Sequence, residues 1–163
     1  MTTTAYLDSP LGLVSLTGSD AGLSAVSFHG TEGYLATAFS DVPACLQEGH
    51  RQLRAYFGRE LRAFTLTYAP ETGTDFQRQV WQALAGVGYG RTASYLDVAR
   101  RLNNPKSIRA VGAANGQNPL AIVWPCHRII GADGSLTGYA GGLLRKKWLL
   151  DFEQPTRQGG LFG

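Results

Sequence analysis

A cysteine, a histidine and an arginine stand side by side in an apolar stretch, 122–130, that reads IVWPCHRII. Cysteine is the best neutral-pH nucleophile among the side chains, but only its thiolate reacts. An unperturbed thiol is only a few per cent ionised at neutral pH, and burial lowers that fraction further. If Cys126 reacts, it therefore needs a base or a positive field, and His127 and Arg128 are its neighbours in sequence.

A carboxylate that could complete such a site ends the last predicted helix. Glu153 could orient the imidazole of His127, which could take a proton from Cys126 directly or through a water. These three groups are the chemical set of an activated nucleophile. An inert buried cysteine is the alternative, and the residue types alone leave both interpretations open.

Two short helices precede the cysteine in the stretch 94–119, SYLDVARRLNNPKSIRAVGAANGQNP. Asn and Pro residues at 103–105 break the first helix, and the second is predicted over 106–114. Two short helices around a tight break form a helix-turn-helix pattern. Arg109 lies near the start of the second helix among small residues, which allow a helix to approach a groove closely. A close contact between two helices is the alternative.

The remaining elements follow from periodicity and turn residues. The predictions are a hairpin over 11–28, a helix over 43–57, a strand over 61–68, a linker at 68–75, a helix over 74–84 with a capping box, and a strand-like stretch at 121–124. A glycine-rich loop, 131–142, holds Tyr139 as its only large side chain. An amphipathic helix is predicted after it, with one apolar face made of Leu144, Trp148, Leu149 and Phe152.

Composition limits the class of protein. The chain has 163 residues, 44% hydrophobic and 17% charged, which is typical of a folded protein rather than a disordered one. No apolar run is long enough to span a bilayer, and the N-terminus lacks a signal-peptide pattern, so a cytoplasmic protein is expected. The net charge is +3, and twelve of the fifteen basic residues are Arg, which suits forked contacts to phosphates or bases.

Several segments, in this order, resemble the O6-alkylguanine-DNA alkyltransferases, which are also called methylated-DNA–protein-cysteine methyltransferases. They are TDFQRQVWQAL, YGRTASYLDVARRL, IRAVGAANGQNP, PCHR and DGSLTGYAGGLLRKKWLL. With the rest of the C-terminal helix, the resemblance covers residues 74–153. PCHR by itself is moderately specific. The combination of PCHR with RAVGxAxxxNP before it and GYAGG after it is highly specific for this family.

The resemblance implies a role for each matching residue. Cys126 resembles the alkyl acceptor, His127 the base that acts through a water, Glu153 the carboxylate that orients His127, and Asn118 the asparagine that braces the site. The resemblance also implies substrate or DNA contacts at Ser94, Tyr95, Arg109, Ala110, Gly112, Tyr139, Ala140 and Lys146. Among these, Arg109 resembles the arginine that enters the duplex where the guanine leaves, and Tyr95 and Tyr139 resemble the tyrosines around the extruded base.

The same resemblance implies the architecture and the reaction. The expected fold class is α/β, with a small ribonuclease-H-like N-terminal domain over 1–70 and a mostly helical domain with a winged helix-turn-helix over 71–155. The expected reaction is a one-turnover transfer of the alkyl group from O6-alkylguanine in double-stranded DNA to Cys126, with O4-alkylthymine as a second candidate substrate. The helix-turn-helix would bind the minor groove and flip the base out of the duplex.

No cofactor is expected, because the damaged DNA supplies the alkyl group. No metal is expected either, because Cys45 and His29 do not match the zinc ligands of some family members. A flexible tail is predicted over 156–163. Its residues 158–162, QGGLF, resemble peptides that dock on bacterial sliding clamps, although such short matches arise often and an uninformative tail is the alternative.

Three other classes of protein compete with this interpretation. An alkyltransferase-like lesion-binding protein would lack the cysteine, whereas Cys126 is present. A helix-turn-helix transcription factor would have no use for the Cys-His-Glu set. A thiol hydrolase would turn over repeatedly. Trp124 stands where the family usually has an aliphatic residue, and it either packs in the core or narrows the space behind the motif. Ala121 stands where some relatives have proline, which would alter the pocket wall. Ala140 is small, so it does not exclude bulky O6 substituents.

Overall fold

The computed structural model describes residues 1–30 and 33–154 and shows a mixed α/β protein. Its described part contains two small sheets and five α-helices. The chain divides into two compact units. Among the described residues, the first comprises 1–30, 33–72 and 119–123, and the second comprises 73–118 and 124–154. The division falls inside the linker predicted at 68–75, two residues after the predicted boundary, and the assignment of 119–123 to the first unit was not expected.

The first unit contains a three-stranded antiparallel sheet. Its strands are β1 (Thr3–Ser9), β2 (Gly12–Ser19) and β3 (Gly22–His29), in that order across the sheet. The hairpin predicted over 11–28 is confirmed as β2 and β3, and β1 adds a strand that the sequence analysis did not identify. In β1 the alternate residues Ala5 and Leu7 are buried, because side chains on one face of a sheet recur every second residue. In β2 the four consecutive residues 13–16 are buried, so both faces of this central strand are covered.

The predicted helix over 43–57 is confirmed as α1 (Ala44–Phe57), which packs on β1 and β2. Leu46, Leu53 and Tyr56 are fully buried on its inner side. Gly58 follows directly and donates its N–H to the carbonyl of Arg54, which ends the helix. The alternation of polar and apolar residues at helical spacing therefore located this element within one residue.

The strand predicted over 61–68 is not formed. Only the end of this segment pairs with β3: Leu23 donates its N–H to the Thr67 carbonyl and accepts from the Ala69 N–H, at 2.9 Å each. Farther along β3, Val26 makes the same two bonds, with Pro119 and Ala121. Two separate segments thus share the outer edge of β3. Too little of that edge remains for residues 61–68 to pair with it as one continuous strand.

The stretch at 121–124 is a turn and not the predicted strand. Ile122 is buried and has φ 71°, a value that is rare for a β-branched residue. The Val123 N–H reaches back to the Ala121 carbonyl at 2.7 Å. Apolar composition indicated burial correctly, but it could not distinguish a buried turn from a buried strand.

The second unit is built mainly from helices. They are α2 (Asp75–Leu84), α3 (Tyr95–Arg101), α4 (Ile108–Gly116) and α5 (Leu143–Phe152). The capping box predicted for α2 is present between Thr74 and Gln77. The indole of Trp81 on α2 donates to the Ala114 carbonyl on α4 at 2.8 Å, inside a core that both helices share with α3.

The two short helices predicted within 94–119 are present as α3 and α4, with an offset at the second. That helix was predicted over 106–114, whereas α4 begins and ends two residues later and includes Asn115 and Gly116. The break between the helices contains Asn103 with φ 57°, a conformation that Asn tolerates better than most residues. Two short parallel strands, β4 (Ala93–Ser94) and β5 (Ile129–Ile130), complete the unit.

Helix α5 forms where it was predicted, but its buried face is different. Leu144 is 87% exposed, whereas Lys146 is fully buried together with Leu149. Trp148 and Phe152 stack on each other with ring centroids 4.7 Å apart. The predicted apolar stripe was therefore wrong at Leu144, because a buried lysine, not a leucine, points toward the interior of this unit. Within the described residues, no helix is long and apolar enough to cross a membrane.

Candidate active site

Cys126 begins a one-turn 3₁₀ helix, Cys126–Arg128, between the turn at 121–124 and β5. Pro125 has φ −79° and ψ 65°, and the Cys126 N–H bonds the Trp124 carbonyl at 2.7 Å across it. These are the dihedral angles and the bond of an inverse γ-turn. The tight backbone places Cys126 in the core of the second unit, where its side chain is only 5% exposed.

His127 and Glu153 form a buried hydrogen bond. Nε2 of His127 lies 2.8 Å from Oε2 of Glu153, and both residues are at most 1% exposed. Arg128 binds the same carboxylate with two nitrogens, Nε to Oε1 at 2.8 Å and an Nη to Oε2 at 3.0 Å. The Glu153 carboxylate therefore accepts hydrogen bonds from two side chains that are themselves buried.

The charge state of Glu153 determines the tautomer of His127. Burial raises the pKa of Glu153, but the hydrogen bonds from His127 and Arg128 outweigh it and lower the pKa to about 2. An ionised carboxylate only accepts, so Nε2 of His127 must carry the proton. Burial also lowers the pKa of His127, against the effect of Glu153, so the ring is neutral at neutral pH. Its Nδ1 is then a proton acceptor, buried and without a hydrogen-bond partner among the described residues.

The thiol of Cys126 is not ionised at rest. Burial raises its pKa, and a hydrogen bond from Asn118 together with the charge of Lys146 opposes that rise. The site therefore holds a neutral thiol and a neutral imidazole at neutral pH, rather than a preformed thiolate. Proton transfer from Cys126 must accompany its reaction with an electrophile.

Two asparagines hold the backbone around the thiol. Nδ2 of Asn118 donates to the Trp124 carbonyl at 2.8 Å, and Nδ2 of Asn115 donates to the Cys126 carbonyl at 3.3 Å. Asn115 lies on α4, so the backbone at Cys126 is bonded directly to that helix. Trp124 stacks on Trp81 with ring centroids 5.9 Å apart, which explains the large residue at this position as part of the core.

Lys146 and Tyr95 meet at one carbonyl of the loop 131–142. The Lys146 ammonium is buried and donates to the carbonyls of Ile129 and Thr137, at 2.5 and 2.8 Å. The Tyr95 hydroxyl donates to the Thr137 carbonyl at 3.2 Å and accepts from the Thr137 hydroxyl at 3.2 Å. Burial lowers the pKa of Lys146, and a thiolate at Cys126 would raise it, so the two groups stabilise each other's charged forms.

An open cleft of about 480 Å³ lies beside these groups. Its walls come from the start of α3, from α4 and from the loop before α5: Tyr95, Ile108, Gly112, Gly116, Thr137, Gly138, Tyr139 and Ala140. Burial and the nearby Cys126 raise the pKa of Tyr139 well above its ordinary value, which keeps its hydroxyl protonated. A cavity of this size and lining can hold a planar ring of the size of a purine.

Comparisons with known proteins agree with this geometry. Residues 75–155 match the family model for the DNA-binding domain of 6-O-methylguanine DNA methyltransferase. The chain is 46% identical to the methylated-DNA–protein-cysteine methyltransferase of Methanosarcina acetivorans, over 91% of this chain and 96% of that protein. It is 43% identical to the protein of the same name from Mycobacterium tuberculosis, over 91% and 90%.

The chain belongs to the methylated-DNA–protein-cysteine methyltransferase family. Solved structures of family members share its fold. The crystal structure of the Mycobacterium tuberculosis O6-methylguanine methyltransferase superposes with a TM-score of 0.81 and 41% identity, covering 94% of this chain and 93% of that one. A structure of the same protein in complex with DNA gives 0.80 and 42%, covering 93% and 92%. The family resemblance predicted from PCHR and its flanking motifs is thereby confirmed.

The structure gives each residue expected from the methyltransferase resemblance a definite place. Arg109 and Ala110 are exposed at the start of α4, on the same helix that lines the cleft through Gly112. Ser94 caps α3, with its hydroxyl accepting from the Asp97 N–H at 3.0 Å. Tyr95, Tyr139 and Ala140 line the cleft, and the buried Lys146 donates to the carbonyl of Thr137 in the cleft wall.

Three residues that contact this cluster were not among the predicted site residues. Arg128 was considered only as a positive neighbour of Cys126, whereas the structure shows that it binds Glu153. Asn115 lay just beyond the helix predicted over 106–114, and Thr137 lay in the glycine-rich loop. Helical spacing from Val111 to Asn115 could have indicated that Asn115 faces inward, because residues four apart share one face. No sequence signal marked Thr137. No three His, Cys, Asp or Glu residues group together as a metal site within 1–30 and 33–154.

Proposed function

We propose that this chain repairs alkylated DNA by moving the alkyl group from O6 of guanine to Sγ of Cys126, once per molecule. One observation carries the proposal: Cys126 is followed by a neutral His127 whose Nε2 is fixed on a buried, ionised Glu153 at 2.8 Å. This arrangement supplies a nucleophile that still holds its proton and a neutral base that can accept it. It is also the set that the family resemblance assigned.

The reaction balances without a cofactor. The Cys126 thiol gives its proton to Nδ1 of His127, through a water, and the sulfur attacks the alkyl carbon. The S–C bond forms as the C–O6 bond breaks, and the electron pair leaves on guanine. Tyr95 hydrogen-bonds the departing base, which takes up a proton from solvent. The product is an S-alkyl cysteine, and a thioether has no easy route back to a thiol, so one molecule repairs one lesion.

We propose that α4 delivers the lesion to this site. O6 of a paired guanine lies inside the duplex, so the nucleotide must rotate out before a buried sulfur can reach it. Arg109 is exposed at the start of α4, where it can fill the gap in the base stack. Small residues beside it, Ala110 and Gly112, let the helix lie close to the minor groove. The structure of the Mycobacterium tuberculosis relative in complex with DNA supports DNA as the partner. The double-stranded form is part of this proposal.

The finer architecture is part of the same proposal. The first unit, with its antiparallel sheet and α1, is proposed to be the ribonuclease-H-like domain. The second unit is proposed to be the DNA-binding and alkyl-acceptor domain, with α3 and α4 as a winged helix-turn-helix. O4-alkylthymine remains a candidate second substrate, since the cleft beside Tyr139 and Ala140 is open enough for other alkylated bases. The residues proposed as a clamp-binding peptide, 158–162, lie outside the described residues.

The alternative classes make different predictions about Cys126. A lesion-binding protein or a transcription factor would bind DNA without consuming the thiol, and a hydrolase would release the alkyl group and react again. The expected result is that intact-protein mass spectrometry, after incubation with a duplex containing O6-methylguanine, shows one added methyl group per chain, located on Cys126. A Cys126→Ser variant should gain none.

The mass measurement has a direct control in the second cysteine. Cys45, also a free thiol, lies in the first unit and should stay unmodified. A Cys45→Ser variant should therefore react like the wild-type protein. Repeated turnover of substrate by a single chain, or methylation in the absence of Cys126, would contradict the proposed function.

Deletion of residues 156–163 tests the clamp peptide separately. Binding to a purified bacterial sliding clamp, measured by surface plasmon resonance, should be lost in the shortened protein, while alkyl transfer should continue unchanged. If the full-length and shortened proteins bind the clamp equally, or if neither binds it, the tail is an uninformative segment. This outcome would leave the repair function unaffected.

A further inference from the structure

The hydroxyl and the backbone carbonyl of Thr137 both form a hydrogen bond with the Tyr95 hydroxyl. The Thr137 hydroxyl donates to Tyr95 and its carbonyl accepts from Tyr95, each over 3.2 Å. The same carbonyl accepts a stronger, charge-assisted bond from Lys146 at 2.8 Å. Thr137 and Tyr95 both line the cleft, on opposite elements, the loop 131–142 and the start of α3.

The two bonds of Tyr95 differ in what a substrate would do to them. The bond from Tyr95 to the Thr137 carbonyl is long for an O–H···O bond, and the carbonyl is already shared with the Lys146 ammonium. A base that enters the cleft can therefore accept the hydrogen bond of the Tyr95 hydroxyl in place of the Thr137 carbonyl, at little cost in free energy. The bond from the Thr137 hydroxyl to Tyr95 uses a lone pair of the phenol oxygen, so it can persist when a base binds.

A hydroxyl that accepts a hydrogen bond becomes a better donor, because hydrogen bonds in a chain polarise one another. The bond from Thr137 also strengthens as negative charge develops on the Tyr95 oxygen. We infer that Thr137 is a positioning residue, which orients and polarises the Tyr95 hydroxyl toward the guanine that leaves during alkyl transfer. This inference rests on the proposed function, and it assigns to Thr137 a role that acts entirely through Tyr95.

The test uses one variant of the same shape as threonine and one that keeps its hydroxyl. Thr137→Val removes only the hydroxyl and keeps the carbonyl that binds Lys146, whereas Thr137→Ser keeps the hydroxyl. Single-turnover rates are measured with free O6-benzylguanine and with its 8-bromo derivative, whose anion is the better leaving group and needs less help from Tyr95. Thr137→Val should slow the first reaction about three- to tenfold and the second less, and Thr137→Ser should react within about twofold of wild type on both.

A second comparison tests whether the effect of Thr137 on the rate depends on the Tyr95 hydroxyl. In a Tyr95→Phe background, Thr137→Val should have no further effect, because the hydroxyl it assists is gone. Equal slowing of both substrates, a loss that persists in the Tyr95→Phe background, or no slowing at all would overturn the role of Thr137. Failure of the wild-type protein to take up a methyl group from a duplex containing O6-methylguanine would overturn the proposed function itself, so the two failures are distinguishable.

Discussion

Replacing Arg109 with alanine is expected to slow repair of O6-methylguanine in duplex DNA about a hundredfold, which corresponds to about 2.7 kcal/mol at the transition state. Rotating a nucleotide out of the duplex costs a few kcal/mol, and a side chain that fills the gap recovers much of that cost. Free O6-benzylguanine needs no extrusion, so its rate of reaction with the variant should stay within about twofold of wild type. Single-turnover rates on both substrates check the prediction.

A matched variant separates gap filling from general attraction to DNA. Lys106 is exposed two residues before α4, so Lys106→Ala removes one positive charge from the same region. The Lys106→Ala variant should bind duplex DNA modestly more weakly, and by the same factor for every DNA sequence, as expected for loss of a phosphate contact. If Arg109→Ala slows the duplex and the free base equally, or no more than Lys106→Ala slows the duplex, Arg109 does not support base extrusion.

Replacing Glu153 with glutamine is expected to lower both stability and rate. The carboxylate accepts from Nε2 of His127 and from two nitrogens of Arg128. In glutamine one oxygen becomes an NH₂ donor, which must face either Arg128 or His127. Glutamine is neutral, so in both cases the buried guanidinium of Arg128 loses its counter-charge. If the NH₂ group faces Arg128, two donors oppose each other. If it faces His127, it drives the proton of His127 onto Nδ1, where that proton blocks uptake of the thiol proton.

The size of these effects follows from burial. Loss of one partner of a buried ion pair costs about 3–5 kcal/mol of unfolding free energy, measurable by urea titration. Loss of a correctly oriented base slows the reaction about 10²- to 10⁴-fold with O6-benzylguanine. Asp151→Asn is the control, because it breaks a more exposed pair with Lys147 on the same helix and should cost less than about 1 kcal/mol.

The pH dependence of stability gives an independent check on Glu153. Its pKa is lowered from 4.5 to about 2 in the folded protein, so the carboxylate stabilises the fold fully above its ordinary pKa. That contribution is lost as the pH falls from about 4.5 toward 2. The stability difference between wild type and Glu153→Gln should therefore be constant at neutral pH and shrink in acid. A difference that is small at neutral pH would contradict a buried, ionised Glu153.

The sequence predicted the elements whose residues interact locally. The helices at 43–57 and 74–84 and the hairpin over 11–28 follow from periodicity, caps and turns, all of which act over a few residues. The segment 61–68 and the turn at 121–124 were assigned wrongly because their conformation depends on competition for the outer edge of β3. Such competition joins residues about a hundred positions apart, and no local pattern records it.

The sequence by itself determined which chemical groups are available: Cys126, His127 and Glu153 in family-specific motifs, and an arginine among small residues at the start of a short helix. Only the tertiary structure decided the protonation of those groups. The tautomer of His127, the neutral thiol of Cys126 and the buried charge of Lys146 all result from loss of water and from partners brought close by folding. Because the cost of a charge depends on its surroundings rather than on its identity, chain order alone could not supply these states.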